Sequence, residues 1–178
     1  NYGSMEFLGP HVDTVGTVSL GLSAVAFGWL LLWRLRASRP GAPRFAAHTA
    51  ADAAFVAVLM FTVTSRVISP QYLVWLVGLG AVCRCFRASR MRVPVTLVLA
   101  ATPLTLLEFP LLFADVVAST PLGITLLFVR NDLLVTAALL GAHALWRGPV
   151  RRGTPAPPDD PGPLGRAAAP ADTPAGTP

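Results

Sequence analysis

Long apolar runs, separated by short segments that carry arginine, are the feature that most restricts what this chain can fold into. Runs of this kind are typical of helices that cross a bilayer. With 53 % hydrophobic and only 13 % charged residues, and a mean hydropathy of +0.59, the composition excludes an ordinary soluble domain. The sequence therefore predicts an all-α fold, a polytopic transmembrane helical bundle.

We expect about five membrane spans, at residues 15–33, 45–63, 72–83, 93–109 and 133–146. All 14 basic residues are arginine, and twelve of them fall on one side of this arrangement. Cytoplasmic loops carry an excess of basic residues, so that side is predicted to be cytoplasmic. The basic character then reflects topology, and no nucleic acid partner is expected. The prediction is a multi-pass plasma-membrane protein whose N-terminus is extracytoplasmic and whose C-terminus is cytoplasmic.

The two remaining arginines, Arg66 and Arg130, are predicted on the outer side, each just before a helix. The apolar runs that follow them are shorter than the roughly 20 residues that a span needs. Either polar side chains at the ends of these helices extend to the membrane surface, or the polar starts of the helices lie below that surface. We favour the second interpretation, in which both arginines face a recess open to the outside.

Ser69 and Pro70, shortly after Arg66, form a helix-start signal, because serine caps free N–H groups and proline suits the first helical position. Gln71 and Tyr72 then fall in the first turn. Free N–H groups and the helix dipole make such a turn suitable for an anion, and Arg66 adds a full charge. The hypothesis is a phosphate site. The alternative is that Ser69-Pro70 only starts a helix and Arg66 is an interface anchor.

The two ends of the chain differ from the middle. Residues 148–178 hold nine of the 17 prolines and are predicted to be a disordered cytoplasmic tail, leaving residues 1–147 as the membrane-embedded domain. The chain starts at Asn1 without an initiator methionine or a basic leader. We expect a fragment whose earlier spans are missing.

Other polar residues give weaker signals. His48 and Asp52, four apart on one helix face, are either a proton relay or a buried hydrogen-bonded pair, and we favour the pair. Cys83 and Cys85 are predicted to be reduced thiols on different sides of a helix, too few for a zinc site. Solvated loop charge is the expected role of most outer carboxylates, which are Glu6, Asp13, Glu108 and Asp115. No cofactor or metal motif is found.

The Ser69-Pro70-Gln71-Tyr72 stretch with Trp75 resembles a motif near the C-terminus of bacterial GT-C glycosyltransferases of family 87. These are similar to the polyprenyl-phosphate-mannose-dependent mannosyltransferases, and mannosyltransferases of GPI-anchor synthesis have similar stretches. Arg130-Asn131-Asp132 resembles the start of that family's last span. Together the matches cover roughly residues 1–152 as the C-terminal part of a longer enzyme.

The resemblance implies a multi-span helical enzyme of the cell envelope. It would transfer a sugar, expected to be mannose, from a polyprenyl-phosphate donor to a lipid or glycan acceptor on the extracytoplasmic face. The family's catalytic aspartate lies in an early outer loop that this chain lacks, so no catalytic residue is assigned. Binding of the donor phosphate is assigned to five residues, Arg66, Ser69, Gln71, Tyr72 and Arg130.

An alternative hypothesis, in which the protein is not an enzyme, predicts the same phosphate site. The chain would then belong to a non-enzymatic polytopic membrane protein, such as a lipid or sugar-lipid transporter subunit. An aspartate-bearing outer loop upstream of this chain would favour the transferase.

Overall fold

In a computed structural model of the chain, residues 11–38, 47–66 and 68–147 are described. They form six α-helices, which are α1 (Val12–Ala37), α2 (Ala47–Thr64), α3 (Pro70–Cys85), α4 (Arg92–Leu106), α5 (Phe113–Val117) and α6 (Pro121–Arg147). A wide π-type segment, Leu107–Leu111, follows α4. The all-α prediction is confirmed for this part of the chain. The predicted tail at residues 148–178 lies outside the described residues.

The long helices run up and down beside one another. Ser19 and Ser23, early in α1, donate hydrogen bonds to Thr64 at the end of α2, with Oγ to carbonyl and Oγ to Oγ1 distances of 2.5 and 2.9 Å. At the other end of the bundle, the Trp33 indole donates to the Leu145 carbonyl of α6 at 3.2 Å. Short connections between antiparallel neighbours are what a helical bundle requires.

The core lies between α2, α3, α4 and α6. Its largest fully buried side chains include Phe55, Leu59, Leu76 and Leu134. Gly80 and Gly141 let neighbouring helices approach closely. A Cβ atom at Gly80 would lie 3.1 Å from a methyl group of Val95 in α4, and one at Gly141 would lie 3.1 Å from a methyl group of Val56 in α2. Small residues at such crossings are typical of helix pairs that pack in membranes.

Three helical segments are long and apolar enough to cross a membrane, Val12–Ala37, Arg92–Leu111 and Pro121–Arg147. On α1, large apolar side chains face outward, and Leu20 and Val25 are 72 % and 70 % exposed. An apolar surface of this extent fits a lipid environment. Apolar helices compatible with a membrane protein are therefore present, whereas a count of five spans stays a prediction.

The last helix differs from the prediction. It begins at Pro121, twelve residues before the expected start, so Arg130-Asn131-Asp132 lies inside α6 and does not open it. Thr120 caps this earlier start, because its Oγ1 accepts from the Gly123 N–H at 3.2 Å. Thr120-Pro121 is thus the same kind of start signal as Ser69-Pro70.

Helix α4 contains two prolines. Pro94 lies in its first turn, where proline suits a helix, and is buried. Pro103 lies near its end. The departure from α-helical geometry comes later, at Phe109, whose backbone is extended with φ −133° and ψ 115°. The next residue is Pro110, which cannot continue the hydrogen-bond ladder.

Candidate functional site

The start of α3 matches its sequence signal. Ser69 has an extended backbone, with φ −73° and ψ 142°, and its side chain accepts from the Gln71 N–H at 3.4 Å. Pro70 is the first helical residue. The predicted helix start is confirmed, with a long and therefore weak capping hydrogen bond.

A cavity of about 300 Å³ lies beside this helix start. Its lining comes from the end of α2, the loop before α3 and the middle of α6, and consists of Val63, Ser65, Arg66, Ile68, Arg130, Asn131 and Val135. Two arginines that are distant in sequence therefore line one recess. The volume is at the small end of ligand sites, enough for a head group but not for a long lipid chain.

The other predicted site residues lie near this cavity and not on its wall. Tyr72 packs between Phe61 and Trp75, with ring centroids 5.6 and 5.5 Å away. Gln71 is exposed, and Ser69 is half-buried next to the lining residue Ile68. The structure thus brings Arg66 and Arg130 together and leaves the other three as neighbours of the recess.

Arg66 is the exposed cation of the cavity. Its guanidinium group lies against the backbone of Gly16 in α1, in the space where a Cβ atom would be. Within the described part of the chain, Arg66 makes no hydrogen bond or ion pair. Its charge is therefore available to a ligand.

Arg130 is held quite differently. It is only 4 % exposed, and its Nη1 forms an ion pair with Glu108 Oε2 at 2.6 Å. Its Nε and Nη2 donate to the side-chain oxygen of Asn131 at 3.2 and 3.0 Å. A buried guanidinium needs such partners, because removing its charge from water is costly. These contacts fix the orientation of Arg130 at the cavity wall.

Glu108 is the residue that sequence reasoning missed. It was expected to be solvated loop charge, and the structure instead pairs it with Arg130. The two lie 22 positions apart, a spacing that carries no local signal. A lone carboxylate at the end of an apolar run, two residues before a proline, was the available hint, since such a charge needs a partner.

His48 and Asp52 do not form the hydrogen-bonded pair that the sequence predicted. Asp52 is buried and accepts a hydrogen bond from Ser89 Oγ at 2.6 Å, and no hydrogen bond joins it to His48 among the described residues. Ser89 Oγ in turn accepts from the Met91 N–H at 3.2 Å. The prediction of a His48–Asp52 pair is wrong. Asp52 instead secures the α3–α4 connection.

The two cysteines point to different sides, as predicted, with Cys83 buried and Cys85 exposed. Among the residues that the structure describes, no three His, Cys, Asp or Glu side chains converge as a metal site would require. Comparison of the chain with protein-family models, curated proteins and solved structures finds no match. The resemblance to glycosyltransferase family 87 therefore rests on its sequence motifs.

Proposed function

We propose that the chain is the membrane-embedded part of a glycosyltransferase that uses a polyprenyl-phosphate sugar as donor. Mannose is the first candidate for the sugar, and a lipid or glycan on the extracytoplasmic face is the acceptor. The observation that carries the proposal is the convergence of Arg66 and Arg130 on one cavity within a bundle of apolar helices. The Ser69-Pro70-Gln71-Tyr72 motif at the next helix start supports the same reading.

The lining of the cavity suits a phosphate group. Arginine presents several N–H donors in a planar fork that matches phosphate oxygens. Because Asn131 uses its side-chain oxygen to accept from Arg130, its NH₂ group is left to donate to a ligand. Ser65 also lines the cavity, and its hydroxyl donates to the Phe61 carbonyl at 2.7 Å.

Glycosyl transfer explains what these groups would do. The acceptor oxygen bonds to the anomeric carbon of the sugar as the bond from that carbon to the phosphate oxygen breaks. The electron pair of the broken bond goes to the polyprenyl phosphate, and the acceptor proton goes to a base. Positive charge placed at the leaving phosphate lowers the barrier to this step. Arg66, whose charge is available, supplies it, and no residue of this chain is assigned as the base.

The surroundings offer a place for the polyprenyl chain. Val74 and Trp75, just beyond the capped start of α3, are 71 % and 47 % exposed. They form an apolar surface on α3, the helix whose capped start lies beside the cavity. The phosphate would then enter the recess while the hydrocarbon chain stays in the bilayer.

The orientation of the bundle is part of the proposal. The described arginines other than Arg66 and Arg130 lie at the opposite end from the cavity, and they are Arg34, Arg36, Arg84, Arg87, Arg90, Arg92 and Arg147. Arg36 lies 4.5 Å above the ring of Trp146 at this end. Such a belt of arginine and tryptophan is typical of a cytoplasmic interface. The cavity would then open to the extracytoplasmic side, in a multi-pass plasma-membrane protein.

A transfer assay separates this function from transport. Membranes from cells with and without the complete protein that carries this chain receive polyprenyl-phosphate mannose labelled in the sugar. The transferase predicts label in products other than the donor, only when the protein is present. A transporter subunit would move the donor between leaflets without forming a new glycosidic bond. Label that never leaves the donor would contradict the proposal.

A further inference from the structure

The two arginines that line the cavity differ in how far their charge is available to a ligand. Arg66 and Arg130 are the charged residues on its wall, and Arg130 is paired with Glu108 behind the wall. Arg130 is also the only hydrogen-bonding or ionic partner that Glu108 has among the described residues. The three groups together carry two positive charges and one negative charge. The wall of the cavity and the carboxylate paired with it therefore carry one net positive charge.

Phosphate ligands differ in charge by their number of ester bonds. A phosphodiester, such as a polyprenyl-phosphate sugar, carries one negative charge at neutral pH. A phosphate monoester, such as the polyprenyl phosphate that remains after transfer, carries nearly two, since its second pKa is about 6. A site with one net positive charge balances the first ligand and leaves the second with an excess negative charge.

We propose that Glu108, acting through Arg130, sets the charge of the cavity so that it prefers a phosphodiester to a phosphate monoester. The proposal rests on the proposed function of the cavity as a phosphate site. Glu108 is a positioning residue, since it does not line the cavity and would not touch the ligand. After transfer, the same charge balance favours release of the polyprenyl phosphate product.

The fold holds Glu108 in place for this role. The extended backbone at Phe109 ends the helical path one residue after Glu108. The segment that follows is packed tightly on α6, where Gly123 approaches the backbone of Asp115 so closely that a Cβ atom would lie 2.6 Å from its carbonyl oxygen. Glu108 and Arg130 are therefore fixed by two elements that are themselves locked together.

Paired ligands test the inference. The complete protein in lipid nanodiscs is titrated at pH 8 with farnesyl phosphate and with its methyl ester, which have the same chain but different charge. Wild-type protein should bind the methyl ester more tightly. Glu108→Gln should shift the ratio of the two affinities toward farnesyl phosphate by at least about tenfold, as expected for one charge within about 12 Å at an effective dielectric constant of about 20.

Three variants control for structural effects. Glu108→Asp keeps the charge and should keep the wild-type ratio. Arg87→Gln removes an exposed charge at the opposite, arginine-rich end of the bundle and should leave both affinities unchanged. If Glu108→Gln does not fold, Arg130→Gln, which lowers the net charge by one, must weaken farnesyl phosphate more than its methyl ester.

The outcomes separate the inference from the proposed function. An unchanged affinity ratio in Glu108→Gln, with both ligands still dependent on Arg66, would overturn the role of Glu108 alone. Equal weakening of both ligands by Arg130→Gln would do the same. If Arg66→Ala changes the affinity of neither ligand, the cavity is not a phosphate site, and both proposals fail.

Discussion

The guanidinium group of Arg66 occupies the space beside Gly16 that a Cβ atom on this residue would fill. Helix α1 is held there by the hydrogen bonds of Ser19 and Ser23 to Thr64, two residues before Arg66. The absence of a side chain at Gly16 therefore sets where the free cation of the cavity lies. A helix whose large apolar side chains are mostly exposed thus contributes to the position of the site.

Gly16→Ala should displace Arg66 without unfolding the protein, because the group in the way is the end of a flexible side chain. Alanine also favours a helix over glycine by roughly 0.5–1 kcal/mol. We expect an unchanged or raised melting temperature, together with about threefold to thirtyfold weaker donor binding from the partial loss of a charge-assisted contact. Thermal unfolding and donor titration of one detergent-solubilised preparation measure both quantities.

Gly21→Ala is the matched control, since a Cβ atom at Gly21 meets nothing within 4 Å. It makes the same change in the same helix, away from Arg66. Donor affinity should equal that of the wild type. Equal affinities for Gly16→Ala and Gly21→Ala would mean that Gly16 does not position Arg66 for the donor.

The hydrogen bond from Ser89 to Asp52 predicts a stability effect that is separate from the site. Ser89→Ala removes a buried hydrogen bond to a carboxylate and the partner of the Met91 N–H. The variant should lose roughly 1.5–3 kcal/mol of stability, with the donor affinity per folded molecule unchanged. Ser38→Ala is the comparison, because Ser38 is exposed and bonds only within its own helix end. Similar melting temperatures for the two variants would refute this account of Asp52.

Local signals in the sequence predicted the helices of this bundle well. Ser69-Pro70 predicts the start of α3 because capping and a fixed φ act within three residues of the chain. The apolar runs place α1, α2 and α4 within a few residues of their observed bounds. Each of these features depends on residues that are close together in sequence.

The polar contacts of the interior could not be predicted in this way. Arg130-Asn131-Asp132 was expected to begin a helix, because three polar residues interrupt an apolar run. The helix instead begins at the local Thr120-Pro121 signal, and Glu108, 22 residues before Arg130, pairs with that arginine inside it. Asp52 pairs with Ser89, 37 residues away, and not with His48 on its own helix. Tertiary contact decides both pairings, and periodicity contains no information about them.

The orientation of the bundle makes a prediction for intact cells. In a Cys85→Ser background, where the remaining Cys83 is buried, Ala118→Cys should react with a membrane-impermeant maleimide from outside. Ala88→Cys, also exposed but at the arginine-rich end, should react only after the cells are permeabilised. Strong labelling of Ala88→Cys in intact cells would reverse the assigned topology.

Arg66 is proposed to bind the donor phosphate, and a donor-concentration series on the purified complete protein tests this role most directly. A charge-assisted contact to phosphate contributes about 1.5–3 kcal/mol, so Arg66→Ala should reduce kcat/KM for the donor by roughly tenfold to a hundredfold. Arg66→Lys should recover part of the loss, since the charge remains and the fork geometry is lost. Normal donor KM and kcat in Arg66→Ala, with only the amount of protein reduced, would contradict the account and make Arg66 an interface anchor.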